Sequence, residues 1–234
     1  MTRHELSEKL VLACHILAAE GHGDMILGHV SVRIPGEERV LMKGAGLGLE
    51  EVTEIDLVEI DLDGRVVAGA ARRHSEYPIH TEIFRARDDV GAVVHTHPPH
   101  AVALGATGAT IEAIGHEGVL FAGAPVFAET TALIRTREEG AAVAACLGRD
   151  RAVLLRNHGI VVAGGNIEEA VVYAILLEKA ARVQLLAGDA GHRRATASSE
   201  LTRKVEQIYH ERNIQDFFDY YSRRVRGTAP FPHE

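Results

Sequence analysis

The segment from 151 to 188 constrains the fold of this chain more than any other part. Its first half, RAVLLRNHGIVVAGG, contains two short apolar runs that are broken by Asn157, His158 and Gly159. Short apolar runs that end at turn residues are typical of buried strands. Its second half, NIEEAVVYAILLEKAARVQLLAG, begins near an asparagine cap and predicts the longest helix of the chain. Buried strands followed by a long helix favour a layered α/β fold.

Hairpins and shorter helices extend this pattern over the rest of the chain. A mixture of strands and helices with several hairpins predicts an antiparallel or mixed sheet. No internal repeat or linker divides the chain, so we predict one domain over residues 1–234, with a polar and partly helical tail from about Ser198. The main elements are predicted as a helix capped by Thr2 with Glu5 at the capping-box position, hairpins at 30–43 and around Asp63–Gly64, a helix at 76–87, a strand at 92–95 and a helix at 136–148.

Composition and charge weigh against several classes of function. The formal net charge of -8 argues against nucleic acid as the main partner, because phosphate binding needs a basic surface. No stretch is long and apolar enough to span a bilayer, and no secretory signal is visible. Cys14 and Cys146 lie far apart in apolar stretches, which favours small buried side chains over a disulfide. We therefore expect a cytoplasmic protein that acts on a small molecule, not on nucleic acid or a membrane.

A pair of histidines ends the apolar run GAVVHTHPP. His95 and His97 are two residues apart, and on a strand such residues point to the same face, so both imidazoles can reach one ion. The chain has 14 histidines, so a His-x-His pair also arises by chance. Its position at the end of a buried strand is the stronger signal, because rigid strand ends commonly carry sites. Metal ligation and a pair of partly exposed histidines both fit this pattern.

Two further residues are candidates for the same site. His158 lies in a turn between two apolar strands, where Asn157 and Gly159 are expected to take positive φ angles. Three histidines would leave an open position on an ion, as in catalytic metal sites. Glu76, at a predicted helix start, is either an acid that complements the helix dipole or an acid/base beside the ion. His80, one turn later, is a competing ligand that we interpret as structural or as a neighbour of the ligands.

Together these residues resemble the class II aldolase/adducin family. The resemblance rests on GHVSVR at 28–33, Glu76, DDVGAVVHTHPP at 88–99 and NHG at 157–159, and covers roughly residues 5–190 in matching order. It implies a three-layer α/β/α sandwich with a central, mostly antiparallel sheet, and a homotetramer with active sites between subunits. It also implies that the metal ligands are His95, His97 and His158 and that Glu76 is the acid/base near the ion.

The anion-binding positions depart from the sugar-phosphate aldolases of this family. Those enzymes seat a phosphate with an asparagine, a Thr/Ser-Gly turn and a pair of serines before the catalytic glutamate. The corresponding positions here are His29, Lys43 with Gly44, and His74 with Ser75. Imidazoles and an ammonium group can flank a flat ring and pair with its carboxylates. These five residues are therefore predicted to bind a small-molecule carboxylate substrate.

This set, with LMKGAGLGLEEVTEIDLVEIDLDG at 41–64 and HSEYPIHTEIFRARDDV at 74–90, resembles the decarboxylase branch of the family. Members of that branch act on hydroxylated aromatic or pyridine dicarboxylates such as dihydroxyphthalate. The resemblance implies a metal-dependent carbon–carbon lyase with one divalent ion per subunit, for which imidazole ligands suit Zn, Mn, Fe or Co. His116 lies where the aldolases place a tyrosine from a neighbouring subunit. It is a second candidate for the catalytic proton donor, or else a loop histidine.

Two other functions stay open at this point. One is a class II aldolase that cleaves a sugar phosphate of the fuculose or ribulose type, and the other is a non-catalytic binding module of the adducin kind. The complete set of ligands favours an enzyme. Arg33 is expected to pair with an internal acid. Tyr209, Tyr220 and Tyr221 lie in the tail, which can cover a site in this family.

Overall fold

A single sheet forms the centre of the computed structural model, which describes residues 2–189, 191 and 194–227. Its strands are β1 His29–Arg33, β2 Arg39–Lys43, β3 Leu57–Asp61, β4 Val66–Ala68, β5 Ala92–Thr96, β6 Val126–Phe127, β7 Ala152–Leu155 and β8 Gly159–Gly164. The eight strands are arranged in the order β4-β3-β2-β1-β5-β8-β7-β6. Every neighbouring pair is antiparallel except β6 with β7, which is parallel. The predicted, mostly antiparallel sheet is confirmed.

Helices cover both faces of this sheet. They are α1 Arg3–Leu17, α2 Tyr77–Ala86, α3 Pro99–Ala106, α4 Arg137–Leu147, α5 Ile167–Asp189, α6 Ser198–Ile208 and α7 Glu211–Val225. The helices α2 and α4 pack together over one face, while α1, α3, α5 and α7 enclose a larger apolar core on the other. This arrangement confirms the three-layer α/β/α sandwich. No helix within the described ranges has the length and apolar character that crossing a membrane requires.

Local sequence signals account for the ends of two of these helices. Thr2 accepts a hydrogen bond from the backbone N–H of Glu5, whose side chain bonds back to the cap, so the predicted capping box is present. Thr136 and Glu139 form a second capping box at the start of α4. Such caps satisfy backbone donors that the first helical turn leaves unpaired. They fix where α1 and α4 begin.

The alternation of side chains along the central strands brings the histidines to one face. Val30 and Val32 belong to the core beneath α1 and α5. His29 and Ser31 point to the other face, where they contact His80 of α2. His29 also lies directly opposite a histidine of β5, His95, in the β1–β5 register. The polar residues of β1 and β5 therefore meet beneath α2.

Candidate active site

Three imidazoles converge at the ends of β5 and β8. One ligand atom from each of His95, His97 and His158 can be chosen so that all lie within 4.8 Å of one another. The Nε2 atoms of His95 and His97 are 3.2 Å apart. Two nitrogens bound tetrahedrally to one ion, at about 2.0–2.1 Å each, lie roughly 3.3 Å apart. The Nε2 atom of His158 is buried without a hydrogen-bond partner among the described residues. Facing nitrogens and an unpaired buried nitrogen fit the donor set of a divalent ion.

The other ring nitrogens are paired in a way that leaves Nε2 free to bind a metal. Nδ1 of His95 donates to the carbonyl of Ile160 at 2.9 Å, and Nδ1 of His97 donates to a carboxylate oxygen of Asp24 at 3.1 Å. A neutral imidazole that donates through Nδ1 carries its lone pair on Nε2. Burial, with the neighbouring imidazoles of His97 and His158, holds the pKa of His95 well below its usual value. The ring is therefore neutral, as ligation requires.

Asp24 is a functional candidate that the sequence did not indicate. It lies in the loop between α1 and β1, with no motif around it, and only the fold brings it to His97. A carboxylate that accepts the second N–H of a ligand histidine fixes the orientation of the ring and raises its basicity. Asp24 therefore completes a carboxylate–histidine pair behind the candidate metal centre.

Asp24→Ala is expected to lower the affinity for a divalent ion by roughly 10–100-fold, the usual effect of losing such a partner. Competition with a coloured chelator measures this affinity. The matched control is Asp216→Ala, which removes an exposed carboxylate of α7. Equal affinities of Asp24→Ala and the unaltered protein would rule out the orienting role.

Glu76 faces the imidazoles rather than the helix that it precedes. It is the N-cap residue of α2, but its side chain makes no capping hydrogen bond. One carboxylate oxygen accepts the backbone N–H of Ile134 at 2.8 Å and lies 3.5 Å from Nε2 of His158. The other oxygen lies 3.9 Å from Nε2 of His95. Burial opposes ionisation of Glu76, but the nearby imidazole of His158 and the hydrogen bond from Ile134 outweigh it and lower the pKa of this carboxyl. Glu76 is thus a buried carboxylate that can accept a proton.

The turn that carries His158 differs from our expectation. Asn157 has a positive φ of 54°, as expected, but the described backbone does not place Gly159 in the positive-φ region, so that part of the prediction was wrong. Glycine is needed at 159 for a different reason. A Cβ there would lie 2.5 Å from the carbonyl oxygen of Thr96 and 2.6 Å from Cδ2 of His97. The missing side chain lets β8 approach β5 closely enough for the imidazoles to meet.

Two of the predicted substrate residues lie beside this cluster. The rings of His29 and His74 are 3.9 Å apart between centroids, and His74 Nδ1 accepts the backbone N–H of Glu76 at 3.4 Å. Burial lowers the pKa of His74 to about 4, so the ring is neutral near pH 7. Nε2 of His29 is buried and has no hydrogen-bond partner among the described residues. Ser75, the third predicted residue here, is exposed.

Lys43 and Gly44 occupy the neighbouring end of β2. Lys43 leaves the strand on the same face as Leu41, which belongs to the larger core, and therefore on the face opposite His29. It is fully buried, burial lowers its pKa, and its Nζ donates to the carbonyl of Gly44 at 3.1 Å. The N–H of Gly44 donates to the carbonyl of Asp56 at 2.9 Å, so this amide is already occupied. Direct substrate contacts by Lys43 and Gly44 stay predictions.

The remaining candidates lie elsewhere in this chain. His116 is exposed and shares the lining of a cavity with residues of α5, with Tyr209 between α6 and α7, and with Tyr220 and Tyr221 of α7. It makes no hydrogen bond or ring contact with the imidazole cluster in the part of the chain that the structure describes. A role for His116 in such a cluster therefore requires a second copy of the chain.

Arg33 pairs with no acid among the residues that the structure describes, contrary to our expectation. Its guanidinium donates to the carbonyls of Phe84, Arg87 and Val90 at 2.7, 3.3 and 3.2 Å. These oxygens lie at and beyond the end of α2, where helical carbonyls lack partners. Arg33 thus anchors α2 to the sheet.

A family model described as class II aldolase and adducin N-terminal domain matches residues 8–185, which is most of the chain. The chain belongs to the class II aldolase/adducin family. It is 38% identical over 207 residues to 3,4-dihydroxyphthalate decarboxylase of Arthrobacter keyseri, covering 82% of each chain. It is 35% identical over 201 residues to the enzyme of that name from Terrabacter sp. (strain DBF63), covering 80% of this chain and 83% of the other.

A solved structure shows the same architecture. The chain is similar to L-fuculose 1-phosphate aldolase from Glaciozyma antarctica PI12, with a TM-score of 0.86 and 27% sequence identity. The alignment covers 96% of this chain and 90% of that one. The relatives are named as decarboxylases and aldolases, which supports lyase chemistry.

Proposed function

We propose that this protein is a metal-dependent lyase that decarboxylates a hydroxylated aromatic or pyridine dicarboxylate such as dihydroxyphthalate. The observation that carries the proposal is the pair of neighbouring imidazoles of His29 and His74, with ring centroids 3.9 Å apart and planes tilted by 42°, beside the cluster of three histidines and Glu76. Flat rings with nitrogen donors suit a planar, carboxylate-bearing substrate better than a tetrahedral phosphate. Similarity to two 3,4-dihydroxyphthalate decarboxylases supports the same choice.

His95, His97 and His158 would hold one divalent ion, of which Zn, Mn, Fe and Co all suit imidazole ligands. When bound, such an ion supplies Lewis acidity that stabilises negative charge on a substrate oxygen. The chain's own contribution is to orient the rings of His95 and His97 and to keep them neutral. Ile160 and Asp24 orient them through the Nδ1 hydrogen bonds, and burial lowers the pKa of both rings.

Glu76 is the proposed proton carrier. As a carboxylate, it can accept the proton of a ring hydroxyl when the substrate binds. It can then return this proton to the ring carbon that carries the departing carboxylate, and the C–C bond breaks to release CO2. The electron pair of that bond stays with the ring, so the substrate loses CO2 and leaves as its phenolate. The hydrogen bond from Ile134 keeps the carboxylate aimed at the cluster throughout. His116 of a second subunit is the alternative donor.

Substrate carboxylates are the proposed partners of the basic groups around the cluster. His29, His74 and Lys43 offer nitrogen donors, and Ser75 offers an exposed hydroxyl at the start of α2. Gly44 contributes by shape, because a Cβ at this position would lie 2.5 Å from the carbonyl oxygen of Asp56. Hydrogen bonds from these groups to carboxylates are charge-assisted and hence strong.

A screen of substrates tests the proposed reaction. The protein is loaded with each candidate ion in turn and incubated with dihydroxyphthalates, hydroxypyridine dicarboxylates, and fuculose- and ribulose-type phosphates. We expect CO2 release from a hydroxyaromatic dicarboxylate and no efficient cleavage of the sugar phosphates. Efficient cleavage of a sugar phosphate without CO2 release would establish the aldolase function instead, which the similarity to L-fuculose 1-phosphate aldolase makes the main competitor. Ion binding without either activity would favour a binding module.

The proposed assembly is a homotetramer with sites between subunits. Met25 and Ile26, next to Asp24, are 74% and 52% exposed, which is unusual for large apolar side chains beside a functional site. His116 also lies away from the cluster of its own chain. Light scattering at micromolar concentration is expected to give the mass of four chains. A monomeric mass with full activity would refute the intersubunit site.

A further inference from the structure

A buried chain of hydrogen bonds lies behind the candidate active site. Ser31 Oγ is 2.6 Å from Nδ1 of His80, and Nε2 of His80 is 2.6 Å from Nδ1 of His29. All three residues are fully buried. The chain links β1 to α2 and ends at Nε2 of His29, which has no protein partner in the described residues. Both nitrogens of His80 are thus occupied, so it does not compete as a metal ligand.

The ring of His29, at the free end of this series of hydrogen bonds, lies beside the cluster, with its centroid 4.9 Å from that of His95. A ring nitrogen of His29, a carboxylate oxygen of Glu76 and a ring nitrogen of His95 lie within 4.8 Å of one another. Since Nδ1 of His29 is committed to His80, Nε2 is the nitrogen available on this side. Whether it carries a proton decides what His29 does there. With the proton it is a donor to anionic oxygens, and without it the lone pair can bind a metal ion.

Which residue donates in each of these hydrogen bonds follows from counting the protons on Ser31, His80 and His29. The rings of His29 and His80 are fully buried, share one N···N hydrogen bond and make no hydrogen bond to a carboxylate among the described residues, so each ring is neutral with one N–H. If His80 donates to Ser31, the hydroxyl proton of Ser31 is left without an acceptor among residues 2–189, 191 and 194–227. An unpaired buried donor at this closed position costs free energy, and neither Glu76 nor a substrate can reach it.

The opposite direction removes this cost. Ser31 donates to His80, His80 donates through Nε2 to His29, and the unpaired proton moves to Nε2 of His29. There it faces the side of the site that holds Glu76 and would hold an anionic substrate. We propose that Ser31 and His80 are positioning residues that fix the tautomer of His29, so that its Nε2 presents an N–H donor to anionic oxygens in the active site. The inference deepens the proposed function, because it explains how a neutral His29 recognises a carboxylate or phenolate.

A spectroscopic experiment tests the tautomer without relying on any activity. In Zn²⁺-loaded protein labelled with ¹⁵N-histidine, long-range ¹H–¹⁵N correlations distinguish Nδ1–H from Nε2–H rings, and the spectrum of His29→Gln assigns the signal. We expect His29 to be the Nε2–H tautomer and Ser31→Ala to reduce this preference. An Nδ1–H tautomer of His29 in the unaltered protein would overturn the proposal and make His29 a candidate metal ligand.

Variants of His80 then test the consequence for turnover. His80→Met removes the donor to His29, and His80→Gln restores an amide N–H at the position of Nε2. With a hydroxyaromatic dicarboxylate that releases CO2, kcat/KM is expected to fall about tenfold or more in His80→Met and to stay within about threefold in His80→Gln. Metal content and Tm identify folded, loaded protein. Equal losses in both variants, when both are folded and loaded, would contradict the hydrogen-bonding role. If no substrate is turned over, the proposed function fails while the tautomer measurement still decides this inference.

Discussion

Replacing His95, His97 or His158 with alanine is expected to abolish stoichiometric binding of a divalent ion. Each substitution removes one of three imidazoles whose ligand atoms lie within 4.8 Å of one another. Loss of a residue that hydrogen-bonds to a ligand histidine lowers the affinity for the metal roughly 10–100-fold. Loss of the ligand histidine itself is expected to lower it further. Metal content after reconstitution and dialysis, measured by mass spectrometry of the elements, gives the result directly.

His100→Ala is the matched control for these three variants. His100 follows the same strand but bonds to Glu178 through Nδ1 at 2.6 Å, outside the cluster. This variant is expected to retain its metal, which separates ligation from a general effect of removing histidines. Full metal occupancy in all three cluster variants would show that the ion, if any, binds elsewhere.

Glu76→Gln is expected to lower kcat by about 10²–10⁴-fold, the usual contribution of a positioned acid or base. Glutamine keeps an oxygen that can accept the N–H of Ile134, so the loop before α4 stays in place. What it loses is the ability to carry a proton. Metal content is expected to be retained, because the three imidazoles are unchanged. Steady-state rates of CO2 release, with metal content measured on the same sample, test both statements.

The control for Glu76→Gln lies on the same helix. Glu82 is buried in α2 and pairs with Arg85 and Arg137 at 3.3 and 3.5 Å. Glu82→Gln removes a carboxylate that is buried like that of Glu76 but lies outside the cluster, so kcat is expected to change little. A loss of metal in Glu76→Gln would show that Glu76 is a ligand, and an unchanged kcat would exclude it as proton carrier.

The strands and the histidines that they carry could be predicted because their signals are local. An apolar run that ends in His-x-His, and a turn that holds His158 between two apolar runs, specify a strand end without knowledge of the rest of the fold. The strand predicted at 92–95 is found as β5, the apolar run after the turn at 157–159 is found in β8, and the two strands pair with each other.

The partners of these histidines could not be predicted because their signals are not local. Asp24 reaches His97, and His80 reaches both His29 and Ser31, only through the pairing of β1 with β5 and the packing of α2 on the sheet. Strand alternation directs Lys43 to the face opposite His29, but burial and, to a smaller extent, the charge of Lys43 both lower the pKa of His29 and His74, so contact between Lys43 and the substrate stays a prediction. For Gly159, the sequence suggested a conformational reason, while the structure shows a steric one.

The placement of β5 between β1 and β8 also bears on how the protein folds. The two neighbours of β5 are far from it along the chain, with α2 in the first intervening segment and α3, α4, β6 and β7 in the second. Long loops must close before these pairs form, and the entropy of closure slows such steps. His29, His95 and His158 come from the three strands or their ends. The imidazoles are therefore expected to come together late in folding. A divalent ion is expected to bind to them, and to stabilise the fold, only after these strands have paired.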